Sequence, residues 1–209
     1  MRRGPDAKLA TYADLGKVSH KTWNEIVVDG RGNAYVNGAG FDTTAGETVA
    51  PGIIALVTMD GSVRKVADGI AFPNGMAVTP DNSTLIVAES HGKKLTAFDI
   101  VADGSLSNCR VWAEVDGYPD GICLDKEGAV WYADVPNKRC VRVRQGGRVL
   151  QTVDLDLGCF ACILGGKDRK TLFIVATEWR GMEKMAEVAR LRTGQLLTVD
   201  APAAGAGWP

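Results

Sequence analysis

The sequence predicts an all-β fold of the β-propeller class, and three observations carry that prediction. Short apolar segments alternate with clusters of turn-forming residues, which is a pattern of strands rather than helices. One hairpin pattern occurs four times along the chain. Its copies are spaced by 50, 46 and 41 residues. Periods of roughly 40–50 residues built from short strands are typical of propellers, in which each repeat forms one four-stranded blade.

The clearest copy of the hairpin begins at the turn dipeptide Asn74-Gly75. The apolar segment 76–78 follows, and the turn formers of 79–83 separate it from a second apolar segment, 85–88. The residues that open the four copies are Asn24, Asn74, Asp120 and Ala161. Eleven positions later each copy has a large apolar residue, namely Tyr35, Leu85, Trp131 and Leu172.

In chain order, this register predicts a single strand at 8–14, the outermost strand of an otherwise absent blade, and then four blades. The first is predicted at 25–29, 34–37, 53–58 and 63–67; the second at 75–78, 84–89, 94–99 and 108–113. The third is predicted at 121–124, 129–134, 139–144 and 147–153; the fourth at 162–164, 171–176, 188–192 and 195–199, with one helical turn within 181–187. We expect the Ala- and Pro-rich segment 200–209 to be a loose tail of this single domain.

Composition excludes several classes of function. The 209 residues carry a net charge of −1 without a dense Lys/Arg cluster, so we expect no nucleic-acid partner. No run of 18 apolar residues occurs, which predicts no membrane span. Five cysteines form an odd count, and several lie in strand-like segments where a free buried thiol is expected. We therefore assign the protein to the reducing cytoplasm.

The residues that open the inner strands are the candidate functional site. In a propeller these positions converge at one mouth of the central channel, and three of the four carry side-chain oxygens: Asn24, Asn74 and Asp120. Such oxygens are the ligands of a hard cation such as Ca²⁺. The alternative is structural, because asparagine also occupies turns and strand ends for local reasons.

The same segments resemble the gluconolactonase/regucalcin family, which includes the senescence marker protein. The matching motifs are Pro73-Asn74-Gly75 with Thr79-Pro80-Asp81, Pro119-Asp120-Gly121 with Asp125-x-x-Gly128-x-Val130-Trp131, and Gly165-Gly166-x-Asp168-x-x-Thr171-Leu172. The resemblance covers nearly the whole chain. It implies a six-bladed propeller with one divalent cation in the channel, and a hydrolase that opens sugar lactones or related esters.

Carried over by position, the resemblance gives each candidate a role. Asn74 and Asp120 resemble two of the three protein ligands of the metal, and Asp120 also resembles the general base. Asn24 resembles an asparagine that lines the substrate pocket. The implied cation is Ca²⁺, with Zn²⁺, Mg²⁺ and Mn²⁺ as alternatives, and the implied small-molecule partner is a sugar lactone.

Two departures separate this chain from the family pattern. The third ligand of the family is a glutamate in a Gly-Glu-Gly-Pro-like motif of the first blade, and nothing before Asn24 matches it. The family's pocket arginine is replaced by Thr22. We interpret the chain as an N-terminally shortened member with about four blades, through a misassigned start, a partial gene or true degeneration. We expect weak metal binding, low lactonase activity and self-association through open propeller edges; the second hypothesis is an inactive propeller that binds ligands or acts structurally.

Other conspicuous residues receive structural interpretations. Cys159 and Cys162 have redox spacing but enter a strand rather than a helix N-terminus, so we expect no redox site. His91 lies in a turn at a blade edge, where we expect it to be solvated. Trp112 and Trp131 are expected between blades, in the core.

Overall fold

Nearly all of the regular structure is β, as the sequence predicted. The computed structural model describes residues 1–3, 5–42 and 45–208. Its strands are β1 (Arg2–Arg3), β2 (Leu9–Ala10), β3 (Trp23–Val28), β4 (Ala34–Gly38), β5 (Gly52–Val57), β6 (Val63–Ile70), β7 (Pro73–Val78), β8 (Thr84–Glu89), β9 (Lys94–Ile100), β10 (Leu106–Glu114), β11 (Pro119–Asp125), β12 (Val130–Asp134), β13 (Arg139–Val143), β14 (Val149–Asp154), β15 (Gly158–Gly165), β16 (Thr171–Thr177), β17 (Gln195–Asp200) and β18 (Gly205–Ala206). One α-helix, α1 (Met185–Leu191), and two 3₁₀ turns, Leu15–Lys17 and Met182–Lys184, complete the elements.

Four small antiparallel sheets form a propeller-like ring. Blade I comprises β3–β6, blade II β7–β10, blade III β11–β14 and blade IV β15–β17. Within each blade the strands pair in sequence order, and the inner strands pack consecutively, β3 on β7, β7 on β11 and β11 on β15. The predicted propeller class is therefore confirmed. The predicted loop 38–52 of blade I contains residues 43 and 44, which lie outside the described residues.

Buried aspartates fix the register of two inner hairpins. The Oδ1 atom of Asp29 accepts the backbone N–H groups of Arg31 and Asn33, both at 2.9 Å. Asp125 does the same for Glu127 and Ala129, at 2.9 and 3.0 Å. These side chains hold the turn by replacing backbone hydrogen bonds, which explains why Asp-x-x-Gly recurs between the first two strands of a repeat.

The core lies between neighbouring blades. Tyr35 and Trp131 are fully buried, and Trp112 is 7% exposed, so these aromatic residues are core as predicted. All five cysteines are free thiols; Cys109 is exposed and the other four are buried. No helix in the described part of the chain is long and apolar enough to cross a membrane.

Two predicted elements differ from the structure. The strand expected at 188–192 is part of helix α1, which buries Val188 and leaves blade IV with three strands. Its apolar residues follow a helical spacing that a five-residue window cannot separate from a strand. The strand expected at 8–14 is instead the two-residue β2, which pairs with β1, while Tyr12 packs on blade I and donates its hydroxyl to the Met59 carbonyl at 2.7 Å.

The tail expected to be loose is a structural element, apart from residue 209, which lies outside the described residues. Residues Gly205–Ala206 form β18 on the inner strand β11 of blade III, and Ala201 and Ala203 are buried. Trp208 exchanges two backbone hydrogen bonds with Val78 of blade II, at 2.9 and 3.0 Å. Small residues let this segment approach the inner strands closely, where its backbone pairs with them and Ala201 joins the core beside blade IV.

Candidate functional site

The residues that open the inner strands of blades I and II are in direct contact. The Nδ2 atom of Asn24 donates to Asn74 Oδ1 at 2.6 Å and to the Pro73 carbonyl at 3.2 Å. Asn24 is exposed, whereas Asn74 is 8% exposed. The first two members of the predicted site therefore lie at the same end of the channel.

Hydrogen bonds from three blades fix Asn74. Its Nδ2 donates to Ser90 Oγ at 3.0 Å, and the Ser90 hydroxyl donates to the carbonyl of Pro119 in blade III at 2.7 Å. The buried Asn37 of blade I donates from Nδ2 to the Asn74 carbonyl at 2.6 Å and accepts the Glu25 N–H at 3.3 Å. Because the side-chain oxygen and the side-chain nitrogen of Asn74 both have partners, the orientation of this side chain is set before any ligand binds.

The glycine after each of these residues lets neighbouring inner strands come together. A Cβ atom on Gly75 would lie 2.5 Å from Ile122 N and 2.6 Å from the Asp120 carbonyl oxygen. A Cβ atom on Gly121 would lie 2.7 Å from Ala161 Cα. The glycines in the Asn-Gly and Asp-Gly motifs thus serve the packing between blades II, III and IV.

Asp120 is a largely buried carboxylate with another acid nearby. Burial raises the pKa of Asp120 to about 7, and the negative charge of Glu25 adds to the increase. Burial also raises the pKa of Glu25, while a hydrogen bond from the Ile26 backbone opposes that change. At neutral pH Asp120 is poised between its protonated and ionised forms, which suits a group that accepts or releases a proton.

Asn74 and Asp120 line one cleft of about 240 Å³. Ser90 lines it with them, and the rest of its wall comes largely from aromatic and apolar side chains, including Phe72, His91, Tyr118, Phe160, Trp179 and Met182. Phe72 and His91 stack at a centroid distance of 4.5 Å, and Phe160 meets Trp179 edge-on at 6.0 Å. His91 is an exposed turn residue, as expected; partial loss of solvent around its ring still lowers its pKa, which favours the neutral imidazole.

Two buried acids hold the loops that carry this wall. Glu89, at the end of β8, accepts the Ala71 N–H at 2.7 Å and pairs with Lys94 at 3.4 Å. The second acid, Asp134, ends β12 and accepts the Tyr118 N–H at 3.2 Å. Both loops precede an inner strand, so each carboxylate fixes the approach to Asn74 or Asp120.

The oxygen atoms at this end of the channel suit a hard cation only in part. Asp120 and Glu25 supply carboxylates and Asn74 supplies an amide oxygen, which are the donor types that Ca²⁺ prefers. The burial of Asp120 near Glu25 leaves negative charge that a cation would offset. No group of three or more His, Cys, Asp and Glu residues forms a potential metal site in the described part of the chain.

The repeat in the sequence predicted Asn24, Asn74 and Asp120 at one end of the channel, but it did not predict the residues that surround them. Ser90 and Asn37 carry no motif of their own, although a lone asparagine in the otherwise apolar segment 34–37 is a weak signal. The roles of Asn24, Asn74 and Asp120 in metal binding, catalysis and substrate binding stay predictions.

The ring of sheets and the cleft at one end of its channel define a β-propeller with a small-molecule-sized cavity. The family profile described as SMP-30/Gluconolactonase/LRE-like region matches residues 2–178. The chain therefore belongs to this family.

Known proteins agree with this assignment. Regucalcin of Danio rerio is 28% identical over 184 residues, which cover 85% of this chain and 61% of the relative. The gluconolactonase of Xanthomonas campestris has a TM-score of 0.63 at 27% identity, over 76% of this chain and 56% of that one. A calcium-binding protein, regucalcin, of Agrobacterium tumefaciens has the same fold, with a TM-score of 0.75 at 21% identity over 96% of this chain and 68% of that one. The chain thus spans about 61% of the length of its zebrafish relative.

Proposed function

We propose that the protein hydrolyses lactones at the end of the channel where Asn24, Asn74 and Asp120 lie. The observation that carries the proposal is Asp120, a partly buried carboxylate whose pKa is raised to about 7 in the wall of a cleft. Membership of the SMP-30/gluconolactonase family supports a lactonase-type reaction. Water adds across the acyl C–O bond: its oxygen joins the acyl carbon, and a proton ends on the ring oxygen to give a hydroxy acid.

Each residue has a role in this reaction. Asp120 accepts a proton from the attacking water, and its pKa near neutrality keeps a useful fraction ionised at pH 7. Asn24 reaches into the site from blade I and offers an amide group to a substrate oxygen, at the expense of its bond to Asn74. Ser90 keeps Asn74 in place through its own bond to Pro119.

A divalent cation, with Ca²⁺ as our first choice, would be held by the oxygens of Asn74 and Asp120, with Glu25 as the additional carboxylate on the chain. When bound it would polarise the ester carbonyl and stabilise negative charge on it. The structural neighbour from Agrobacterium tumefaciens is a calcium-binding protein, which is consistent with this choice.

A second candidate is a propeller that binds ligands without catalysis. The absence of a cluster of three ligating acids, cysteines or histidines among the described residues favours it. In that case the cleft binds its ligand without converting it, and Asp120 takes part in no chemical step.

The test is hydrolysis of δ-lactones by the purified 209-residue chain in a pH-indicator assay, with calcium and with EDTA, alongside calorimetric titration of calcium. We expect turnover to require calcium and to fall by about 10²-fold or more in Asp120→Asn. The matched control is Asp156→Asn, which changes an exposed aspartate. Calcium-independent turnover that survives Asp120→Asn would refute the proposed site, and an absence of turnover favours the second candidate.

A further inference from the structure

The cleft at Asn74 and Asp120 has a wall that does not suit a polyhydroxylated ligand. Its volume of about 240 Å³ is below the roughly 300–1,000 Å³ of drug-sized pockets, so the occupant is a small molecule. Eight of its eleven lining residues are aromatic or aliphatic, His91 included, and none of the described residues that line it is lysine or arginine. An aromatic wall contributes most to the free energy of binding when the ligand covers it with apolar surface.

Two of the polar side chains that line the cleft, Asn74 and Ser90, already have hydrogen-bond partners within the protein. Asn74 Nδ2 donates to Ser90, and the Ser90 hydroxyl donates to the Pro119 carbonyl. Asn74 Oδ1 accepts from Asn24. A sugar lactone loses water from several hydroxyls on entering a site, and each must find a new partner. Asn74 and Ser90, whose partners lie in the protein, offer few of these.

Phe72 is held at the cleft in an unfavourable backbone conformation. Its φ angle is +59°, in the left-handed region that bulky side chains rarely adopt. The surrounding bonds impose it: Glu89 accepts the Ala71 N–H at 2.7 Å, and the Phe72 carbonyl accepts the Ser90 N–H at 3.1 Å. Backbone strain of this kind persists where neighbouring structure determines it, and it occurs often at ligand sites.

The strained conformation presents an extended aromatic surface. The Phe72 ring stacks on His91 with an interplanar angle of 14°, and the buried Phe41 packs against Phe72 at a centroid distance of 5.7 Å. From blade IV, Phe160 and Trp179 line the same cleft. The neutral imidazole of His91 adds a flat surface without a charge.

We propose that the substrate is a lactone whose ring bears an aromatic or similarly flat apolar substituent, rather than a sugar lactone. The substituent packs on Phe72 and His91 from one side of the cleft and on Trp179 from blade IV, while the ester lies at Asp120. This inference rests on the proposed function for the position of the ester.

Three lactones with the same six-membered ring test it: δ-valerolactone, 6-phenyl-δ-valerolactone and glucono-δ-lactone. We expect kcat/KM to be highest for the phenyl compound. Trp179→Ala should lower kcat/KM for that compound by about tenfold and leave δ-valerolactone nearly unchanged. The control variant is Trp208→Leu, at the opposite end of the channel, which should leave the ratio between the two compounds as it is.

Binding of unreactive lactams separates this inference from the proposed function. In calorimetry, 6-phenyl-2-piperidinone should bind more tightly than 2-piperidinone, and Trp179→Ala should remove the difference. If the phenyl lactam binds in this way while no lactone is hydrolysed, the proposed function fails and the aromatic site stands. If glucono-δ-lactone is hydrolysed with the highest kcat/KM, or the two lactams bind alike, the aromatic site is wrong although the hydrolase stands.

Discussion

Blades II and III differ from blades I and IV in how the loops at the cleft are held. In blades II and III the second strand ends in a buried acid, Glu89 or Asp134, that accepts an N–H of the loop before the inner strand. A basic residue five positions later pairs with each acid. Blade I has Gly38 at the end of its second strand, and blade IV has Thr177, whose hydroxyl bonds to Thr193 at 2.8 Å.

The difference shows where rigidity is concentrated. Asn74 and Asp120 both belong to the two blades with buried acids, and so do the loops that carry Phe72 and Tyr118. Blades I and IV contribute side chains that no such acid supports, Asn24 from blade I and Phe160 and Trp179 from blade IV. A site that must hold a ligand in one geometry needs its contacting residues to be fixed by their neighbours, and the buried acids fix the loops next to Asn74 and Asp120.

The largest effect that tests this comparison is expected from Asp134→Ala. The Asp134 side chain is inaccessible to solvent and accepts hydrogen bonds from Tyr118 N, Asn137 and Arg139, so its removal takes the shared charged acceptor from three donors. We expect a loss of about 4 kcal/mol in the free energy of unfolding, because a hydrogen bond to a charged group is worth roughly 1.5–3 kcal/mol. Thr177→Val in blade IV removes a hydroxyl pair and should cost only about 1 kcal/mol. Urea denaturation measures both, and equal losses would contradict the distinction between the blades.

The next largest effect is expected from Gly75→Ala. The new methyl group would meet backbone atoms of β11 at 2.5–2.8 Å, and backbone cannot move aside as a flexible side chain can. We expect destabilisation by about 3 kcal/mol. Gly194→Ala is the matched control, since a Cβ atom there has no neighbour within 4 Å among the described residues. A Gly75→Ala protein with the melting temperature of the parent would show that blades II and III do not depend on this approach.

Asp120→Asn should stabilise the protein in EDTA at pH 8. The pKa of Asp120 is about 7 in the folded state and about 3.9 in an unfolded chain, so the folded state binds more protons between these values. The parent therefore loses stability as the pH rises from about 4 to about 7, whereas asparagine does not titrate. The advantage of the variant should be near zero below pH 4. The difference between the two pKa values corresponds to roughly 4 kcal/mol, and solvent screening of the partly exposed carboxylate reduces this to about 2 kcal/mol at pH 8. Thermal unfolding across this pH range checks the sign, and a variant less stable than the parent at pH 8 would be evidence against a destabilising carboxylate.

The smallest effect on stability is expected at the exposed apolar residues of the outer blades. Ile26 of blade I and Leu196 of blade IV are 59% and 66% exposed and line one channel wall. We predict concentration-dependent self-association through this surface. The double variant Ile26→Lys with Leu196→Lys should sediment as a monomer without a change in melting temperature, and Leu9→Lys, on the N-terminal hairpin, should associate like the parent. If the parent protein stays monomeric at all concentrations, the prediction is wrong.

The fold could be predicted from the sequence because the pattern of strands and turns is local and is repeated along the chain. The alternation around Asn74 and Asp120 recurs in register, and the strands of the first three blades lie within a few residues of their predicted bounds. Helix α1 was missed because five residues with apolar positions fit either a strand or a helix. The segment 201–208 was missed because its pairing is through the backbone, which composition does not encode.

Only the residues that open the inner strands of the candidate site could be predicted from the sequence. Asn24, Asn74 and Asp120 follow from the repeat, whereas the cleft wall assembles from separate loops of blades II, III and IV. Phe72 and Trp179 share no spacing that could have linked them. The strained φ angle of Phe72 depends on Glu89 across the sheet, so no local pattern predicts it.

The pairing of the segment 201–208 has a consequence for how the blades assemble during synthesis on the ribosome. The segment 201–208 bonds to Lys170 in blade IV, to Lys126 in blade III and to Val78 in blade II, and the Trp208 ring lies beside Gly30 of blade I. These contacts join residues far apart in the sequence, and such contacts form late in folding. Each blade can pair its own strands as it emerges, but the end of the channel away from Asp120 stays uncovered until residues 201–208 leave the exit tunnel. Nascent chains stalled shortly before Ala201 should therefore be more open to proteolysis than released chains.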